Sequence, residues 1–106
     1  EISRKHGLSP NLMAAILAQE SRYQTAAINH QTKDYSIAQI NEKTIKAYGF
    51  DKHRLMVDNK YAIECMARVL VDLKTTAPRD LYWWGRYNSS KPDLKMKYVK
   101  LVNKFL

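Results

Sequence analysis

The sequence has few of the residues that mark several classes of protein. Its 106 residues include one cysteine, Cys65, so it can form no internal disulfide and has no Cys-x-x-Cys motif. Charged residues interrupt the longest apolar stretch, at positions 61–73, which is too short to cross a bilayer. With three glycines and three prolines the chain shows no low-complexity linker. We therefore expect one folded domain over residues 1–106, with no transmembrane segment and no recognisable signal peptide.

Motifs for metals and cofactors are absent as well. The three histidines, His6, His30 and His53, lack the spacing that places two imidazoles on one helix face. There is no glycine-rich phosphate loop, and no spacing indicates a Ser-His-Asp or Cys-His arrangement. The sequence therefore predicts neither a metal ion nor a cofactor.

Positive charge is what the chain has in excess. It carries 18 lysines and arginines against 10 aspartates and glutamates, a formal net charge of +8. Such a charge attracts polyanions, which include nucleic acid, anionic membranes and cell-wall polymers. Because the basic residues are spread over all the predicted helices, no single recognition face is indicated. A basic helical module that binds nucleic acid nevertheless stays an alternative on charge alone.

Apolar periodicity and capping residues predict about five helices and little strand. The helices are expected at Pro10–Ser21, from Asn41 to Gly49, from Asp58 to Thr76 and from Pro92 onward. The last of these is expected to place Leu94, Tyr98, Leu101, Val102 and Phe105 on one apolar face. The segments between them are an irregular loop at 22–34, a strand-like stretch near 35–40 and an aromatic stretch at 82–87. The fold class is therefore all-α with a minimal strand-like segment. The helix after Asp58 is expected to lie at the centre of the core, with Cys65 buried in it.

The first long helix carries an unexpected carboxylate. Met13, Ile16 and Leu17 form a core-facing stripe, and the next position on that stripe is Glu20. Burial would raise the pKa of this carboxyl group, and a protonated carboxyl near neutral pH is what the cleavage of a glycosidic bond requires. The alternative is that Glu20 ends the helix and pairs with a lysine or faces water.

A second carboxylate, Asp34, lies where the loop meets the strand-like segment. Glycosidases often pair two carboxyl groups, and their separation decides whether the second acts as a nucleophile or activates water. The alternative for a lone aspartate beside a turn is a local backbone cap.

Three segments in order resemble the motifs of the lytic transglycosylase family. They are QES at 19–21, DYSIAQIN at 34–41 and YNSS at 87–90. The stretch HGLSP at 6–10, with the apolar residues after it, resembles the family's approach to its glutamate. Tyr98-Val99 stands where the family usually has a Tyr-Val pair. The resemblance implies a lysozyme-like domain with Glu20 as the single acid and base. It also implies that Ser21 supports Glu20 and binds substrate, together with the cleft residues Gln39, Asn41, Tyr87 and Asn88.

The family's chemistry then becomes an expectation for this chain. Its members cleave the bond between N-acetylmuramic acid and N-acetylglucosamine in peptidoglycan and leave a 1,6-anhydro end. The resemblance implies glycan strands as the partner, a location in the periplasm or cell envelope, and a monomer that binds no nucleic acid. It leaves open a secretion apparatus, a conjugation apparatus or a phage tail as a further partner.

Departures from the family pattern concern backbone and packing positions. Ser36 and Ser90 stand where glycine is usual, and Ala38 stands where methionine is common. The same 34–41 segment also resembles the DYGILQIN segment of C-type lysozymes, in which the leading aspartate is catalytic. A hydrolysing muramidase that uses Glu20 and Asp34 therefore stays the second interpretation. Two interpretations apply to the aromatic residues Tyr82, Trp83, Trp84 and Tyr87. They stack on sugar rings, or they pack in the core.

Overall fold

The computed structural model describes residues 2–89 and 91–106, so Ser90 lies outside the described residues. In the described chain the helices are α1 (Ile2–Lys5), α2 (Pro10–Ser21), α3 (Glu42–Tyr48), α4 (Lys52–Val57), α5 (Asn59–Thr76) and α6 (Pro92–Asn103). A short 3-10 helix spans Trp83–Tyr87, and three short strands are β1 (Ile28–Asn29), β2 (Asp34–Tyr35) and β3 (Ile40–Asn41). The predicted fold class, mostly helical with a minimal strand region, is confirmed.

Side-chain caps fix the predicted starts of α2, α3 and α5. Ser9 Oγ accepts the Leu12 amide at 3.3 Å, and Asp58 Oδ1 accepts the Tyr61 amide at 3.1 Å. Each such cap satisfies a free amide of the first turn and contributes about 1 kcal/mol. Gly49 ends α3 with a φ of 70°, the left-handed conformation that glycine adopts without strain. These boundaries agree with the sequence predictions.

Two helices and one strand were not expected. Helices α1 and α4 have four and six residues, too few for an apolar period to stand out. Strand β1 lies in the stretch predicted to be an irregular loop, and both of its residues are exposed. Short elements of this kind are defined by their partners in the fold, which a local pattern does not contain.

The strand-like segment near 35–40 forms two strands and a turn. β1, β2 and β3 form an antiparallel sheet in that order, in which Asp34 pairs with Asn41 and Tyr35 pairs with Ile40. The turn at 36–39 reverses the chain because Ser36 and Gln39 have φ values of 79° and 50°. The prediction of one continuous strand-like stretch is therefore corrected to a hairpin, which brings the two ends of the motif side by side.

Helix α5 lies at the centre of the core, as predicted, and its Cys65 is 1% exposed. It packs against α1, α4 and the 3-10 helix, while α2 packs against α6. Helix α6 buries Tyr98, Val99 and Val102. Leu94 and Phe105, expected on the same apolar face, are 47% and 51% exposed, because Leu94 lies in the first turn of α6 and Phe105 lies beyond its last residue, Asn103. Among the described residues, no helix has the length and apolarity to span a membrane.

Candidate active site

A cleft of about 780 Å³ lies between the helices and the small sheet. Six of the seven residues proposed from the sequence line it, namely Glu20, Asp34, Gln39, Asn41, Tyr87 and Asn88. The rest of the lining comes from Thr32 and Ile40 on the sheet side, from the start of α3, from α5, from Arg86 in the 3-10 helix, and from Ser89, Lys91 and Leu94 before and within the first turn of α6. Residues as far apart in the chain as Glu20 and Leu94, 74 positions, thus share one surface.

Glu20 lies at the end of α2 and is half-buried, on the stripe whose apolar members Met13, Ile16 and Leu17 are buried. Its Oε2 accepts a hydrogen bond from the Tyr98 hydroxyl at 2.7 Å. Burial raises the pKa of the Glu20 carboxyl group to about 7, the Tyr98 hydrogen bond lowers it, and the charge of Asp34 raises it. Among the described residues no lysine or arginine forms a salt bridge with Glu20. The geometry does not support the alternative of a surface ion pair.

Tyr98 is the contact that sequence reasoning left out of the site. It comes from α6, 78 positions after Glu20, and it is 3% exposed. Burial and the neighbouring Glu20 raise the pKa of Tyr98, so the phenol stays protonated and donates its hydrogen bond. The sequence signal for this contact is the Tyr98-Val99 pair, which stands where the family usually has a Tyr-Val pair.

Ser21 lies behind the cleft and is not part of its lining. Its hydroxyl is buried and donates to the Ile37 carbonyl at 2.7 Å, with a longer contact to the Leu17 carbonyl at 3.3 Å. The expected substrate contact is therefore corrected, because this hydroxyl is already bonded inside the protein. Its expected role as a supporting neighbour fits the geometry, since it ties the end of α2 to the turn at 36–39.

The turn at 36–39 explains why the family prefers glycine at the position of Ser36. Ser36 is fully buried and has a φ of 79°, a conformation that costs a non-glycine residue free energy. Its Oγ accepts the Ala38 amide at 3.2 Å, which offsets part of that cost. Gln39 Nε2 donates to the Ala27 and Ser36 carbonyls at 2.9 and 3.0 Å. The Gln39 side chain in the cleft is therefore held by two backbone groups.

Asp34 is held on the sheet side of the cleft by neutral donors. The Thr32 hydroxyl donates to Asp34 Oδ2 at 2.7 Å, and Asn41 Nδ2 donates to Asp34 Oδ1 at 3.0 Å. Asn41 Nδ2 also donates to the Thr32 carbonyl, and Asn41 Oδ1 caps α3 by accepting the Lys43 amide. Thr32, which sequence reasoning did not select, thus orients the carboxylate together with Asn41.

Tyr87 joins the 3-10 helix to the sheet side. Its hydroxyl donates to the Ala38 carbonyl at 2.6 Å, and burial raises the pKa of this phenol well above its usual value. Trp84 is 6% exposed and belongs to the core, and Tyr82 meets it edge-on with ring centres 6.1 Å apart. Of the four aromatic residues singled out in the sequence, only Tyr87 lines the described cleft.

The described residues contain no group of three or more His, Cys, Asp or Glu side chains placed to hold a metal ion. A mostly helical domain with a three-stranded antiparallel sheet, and a carboxyl group of raised pKa in the cleft beside it, defines the lysozyme-like class of proteins.

Comparison with known families makes the assignment specific. The family model described as Transglycosylase SLT domain matches residues 1–98, a range that contains the whole lining of the cleft. The chain therefore belongs to the lytic transglycosylase family, whose members cleave peptidoglycan, a polymer that lies outside the cytoplasm. A search of curated proteins and a search of solved structures gave no match. The resemblance to the lytic transglycosylase family that the sequence indicated is confirmed.

Proposed function

We propose that this domain cleaves the β-1,4 bond between N-acetylmuramic acid and N-acetylglucosamine and leaves a 1,6-anhydro product, with Glu20 as acid and then base. The observation that carries the proposal is the place of Glu20 in the cleft with a pKa raised to about 7. A carboxyl group titrating near neutral pH is populated in both its protonated and its ionised form there. One residue can therefore perform both proton transfers.

The Tyr98 hydrogen bond supports the assignment of the acidic proton of Glu20 to one of its two carboxyl oxygens. Because the protonated phenol donates to Glu20 Oε2, that oxygen acts as an acceptor. The proton of neutral Glu20 then resides on Oε1. In the first step Oε1 gives its proton to the bridging oxygen as the bond from that oxygen to the muramic acid C1 breaks. N-acetylglucosamine leaves with a free 4-hydroxyl group.

In the second step Glu20 acts as the base. The muramic acid 6-hydroxyl attacks C1, and its proton passes to the Glu20 carboxylate, which restores the starting form of the enzyme. The Tyr98 hydrogen bond stabilises the carboxylate between the two steps. Burial favours the acid and the Tyr98 bond favours the base, so the two effects balance near neutral pH.

Asp34 is proposed as an auxiliary charge. It lies in the same cleft and is near enough to raise the pKa of Glu20, so its negative charge also favours the positive charge that develops at C1. Both of its oxygens accept hydrogen bonds from Thr32 and Asn41, which weakens it as a nucleophile.

The second candidate function is hydrolysis with Asp34 as a catalytic carboxylate, and the presence of both carboxyl groups in one cleft favours it. Mass spectrometry of fragments released from purified peptidoglycan separates the two functions. We expect 1,6-anhydro ends from the wild-type protein. Reducing ends would replace our proposal with the hydrolytic one. An intact polymer would argue against both.

The cellular setting follows from the substrate. We place the activity in the periplasm or cell envelope, where glycan strands are found. A secretion apparatus, a conjugation apparatus or a phage tail stays a predicted partner from the sequence alone. The monomeric state is also a prediction from the sequence, and light scattering checks it. Binding of nucleic acid has only the charge of +8 in its favour, and the family match gives it no support.

A further inference from the structure

The cleft contains three basic residues that the proposed reaction does not use. Lys43 lies in the first turn of α3, Arg86 in the 3-10 helix, and Lys91 directly before α6. They line the same cleft as Glu20 and Asp34. Three separate elements therefore direct positive charge to one substrate surface.

Salt bridges within the protein do not neutralise these three cations. The five salt bridges among residues 2–89 and 91–106 engage other basic residues, which are Lys5, Lys33, Lys52, Arg54 and Lys95. Arg86 is near enough to Asp80 to lower its pKa, but the ion-pair partner of Asp80 is Lys95. Lys43, Arg86 and Lys91 are thus available to a ligand.

The acidic residues of the cleft are fewer. The Asp34 carboxylate is bonded to neutral donors only, Thr32 and Asn41. Glu20 is uncharged when it is ready to donate its proton. In that state three cations face one anion among the lining residues, a net charge of +2. The cleft therefore attracts an anionic ligand, although the sugar rings of the substrate are neutral.

We propose that Lys43, Arg86 and Lys91 bind the carboxylates carried by the muramic acid substituent of the strand. This inference rests on the proposed function, from which it takes the substrate. Muramic acid differs from N-acetylglucosamine by a lactyl ether, which ends in a carboxylate on a bare strand and in an acidic peptide on an intact one. The basic residues thus select strands with muramic acid over neutral polymers of N-acetylglucosamine.

General attraction by the chain's charge of +8 is the competing explanation, and a matched control separates the two. Lys97, Lys100 and Lys104 are exposed residues of the C-terminal region outside the cleft lining. A triple change of Lys43, Arg86 and Lys91 to Gln removes the same charge as a triple change of these three lysines to Gln. Only the place of the lost charge differs.

The test measures binding in a Glu20→Gln background, so that no ligand is consumed. The ligands are peptide-bearing strands, strands stripped of peptide, and N-acetylglucosamine oligomers of the same length. We expect the cleft triple to raise the Kd for muramic acid strands about 10-fold, the combined effect of three exposed ion pairs of ordinary strength. The control triple should change it less than about 2-fold, and neither triple should affect the neutral oligomers.

The ligand arms identify which carboxylate is bound. A loss seen with stripped strands assigns the lactyl carboxylate, and a loss seen only with peptide-bearing strands assigns the peptide. Equal losses in the two triples, no loss in the cleft triple, or an equal loss on neutral oligomers would overturn the proposal. Circular dichroism and melting temperature check that each triple is folded. Fragment analysis of the wild-type protein is separate, so failure of the cleavage reaction would not be confused with failure of this binding.

Discussion

The helical side and the sheet side of the cleft each present a carboxyl group, in opposite environments. On the helical side Glu20 is desolvated by the core and has a phenol, Tyr98, as its hydrogen-bond donor. On the sheet side Asp34 accepts hydrogen bonds from the Thr32 hydroxyl and the Asn41 amide. The same functional group thus has a pKa raised by burial on one side and hydrogen bonds from neutral donors on the other.

The backbone differs between the two sides as well. The described non-glycine residues with positive φ all belong to the segment between positions 22 and 39, and they are Arg22, Tyr23, Ala26, Lys33, Ser36 and Gln39. The helical side depends on burial and regular backbone, whereas the sheet side depends on turns and specific hydrogen bonds. Residues held in such conformations often cluster at functional sites.

The largest expected effect is on the helical side. Glu20→Gln keeps the shape of the side chain but removes its proton transfer, so we expect turnover of peptidoglycan to fall at least about 100-fold. Glu64→Gln is the matched control, because Glu64 pairs with Lys5 outside the cleft. Full activity of Glu20→Gln, or an equal loss in the control, would remove the distinction between the two sides.

The raised pKa of Glu20 also predicts a dependence of stability on pH. Because its folded pKa of about 7 exceeds its ordinary value of 4.5, the folded protein binds more protons between these values. The free energy of unfolding therefore falls as pH rises from about 4.5 to 7, by about 2 to 3 kcal/mol from this group. Denaturant titrations at pH 5 and pH 8 should show this loss in the wild-type protein and a smaller one in Glu20→Gln. Equal losses would contradict the buried acid.

The change Tyr98→Phe also tests the helical side, and we expect it to affect activity less than Glu20→Gln does. Since the Tyr98 hydrogen bond lowers the pKa of Glu20, its removal should raise that pKa by about 1 unit, the effect of a bond worth about 1 to 1.5 kcal/mol. The alkaline limb of the kcat/KM profile should then move to higher pH. Tyr61→Phe is the control, because Tyr61 accepts the Asp51 amide away from the cleft. An unmoved limb would show that Tyr98 only fills space.

Asp34→Asn should have the smallest effect. Loss of a nearby negative charge lowers the pKa of Glu20 slightly and weakens the stabilisation of positive charge at C1. We expect turnover to fall by less than about 10-fold, as for charges in a partly solvated site, with anhydro ends retained. Asp72→Asn, which likewise replaces a hydrogen-bonded carboxylate with an amide but lies outside the cleft lining, controls for stability. Loss of all turnover would make the sheet side as important to the reaction as the helical side.

Local chemistry explains which features the sequence could predict. Ser9, Asn41 and Asp58 cap helices through amides two or three positions away, and the stripe on α2 spans two turns. The bond between Tyr98 and Glu20 joins positions 78 apart, so no local period contains it. The hairpin depends on positive φ at Ser36, a residue type that does not signal this conformation. The family motifs located most of the cleft, and the packing of α6 on α2 completed it.

The central claim is that burial on the helical side makes Glu20 titrate near neutral pH. The most direct test is a carbon-13 NMR titration of the glutamate side-chain carboxyl groups, with the Glu20 signal assigned from its absence in Glu20→Gln. The signal should titrate with a pKa of about 7. A pKa near 4.5, the ordinary value of a glutamate, would contradict the assignment of Glu20 as the acid and base of this cleft.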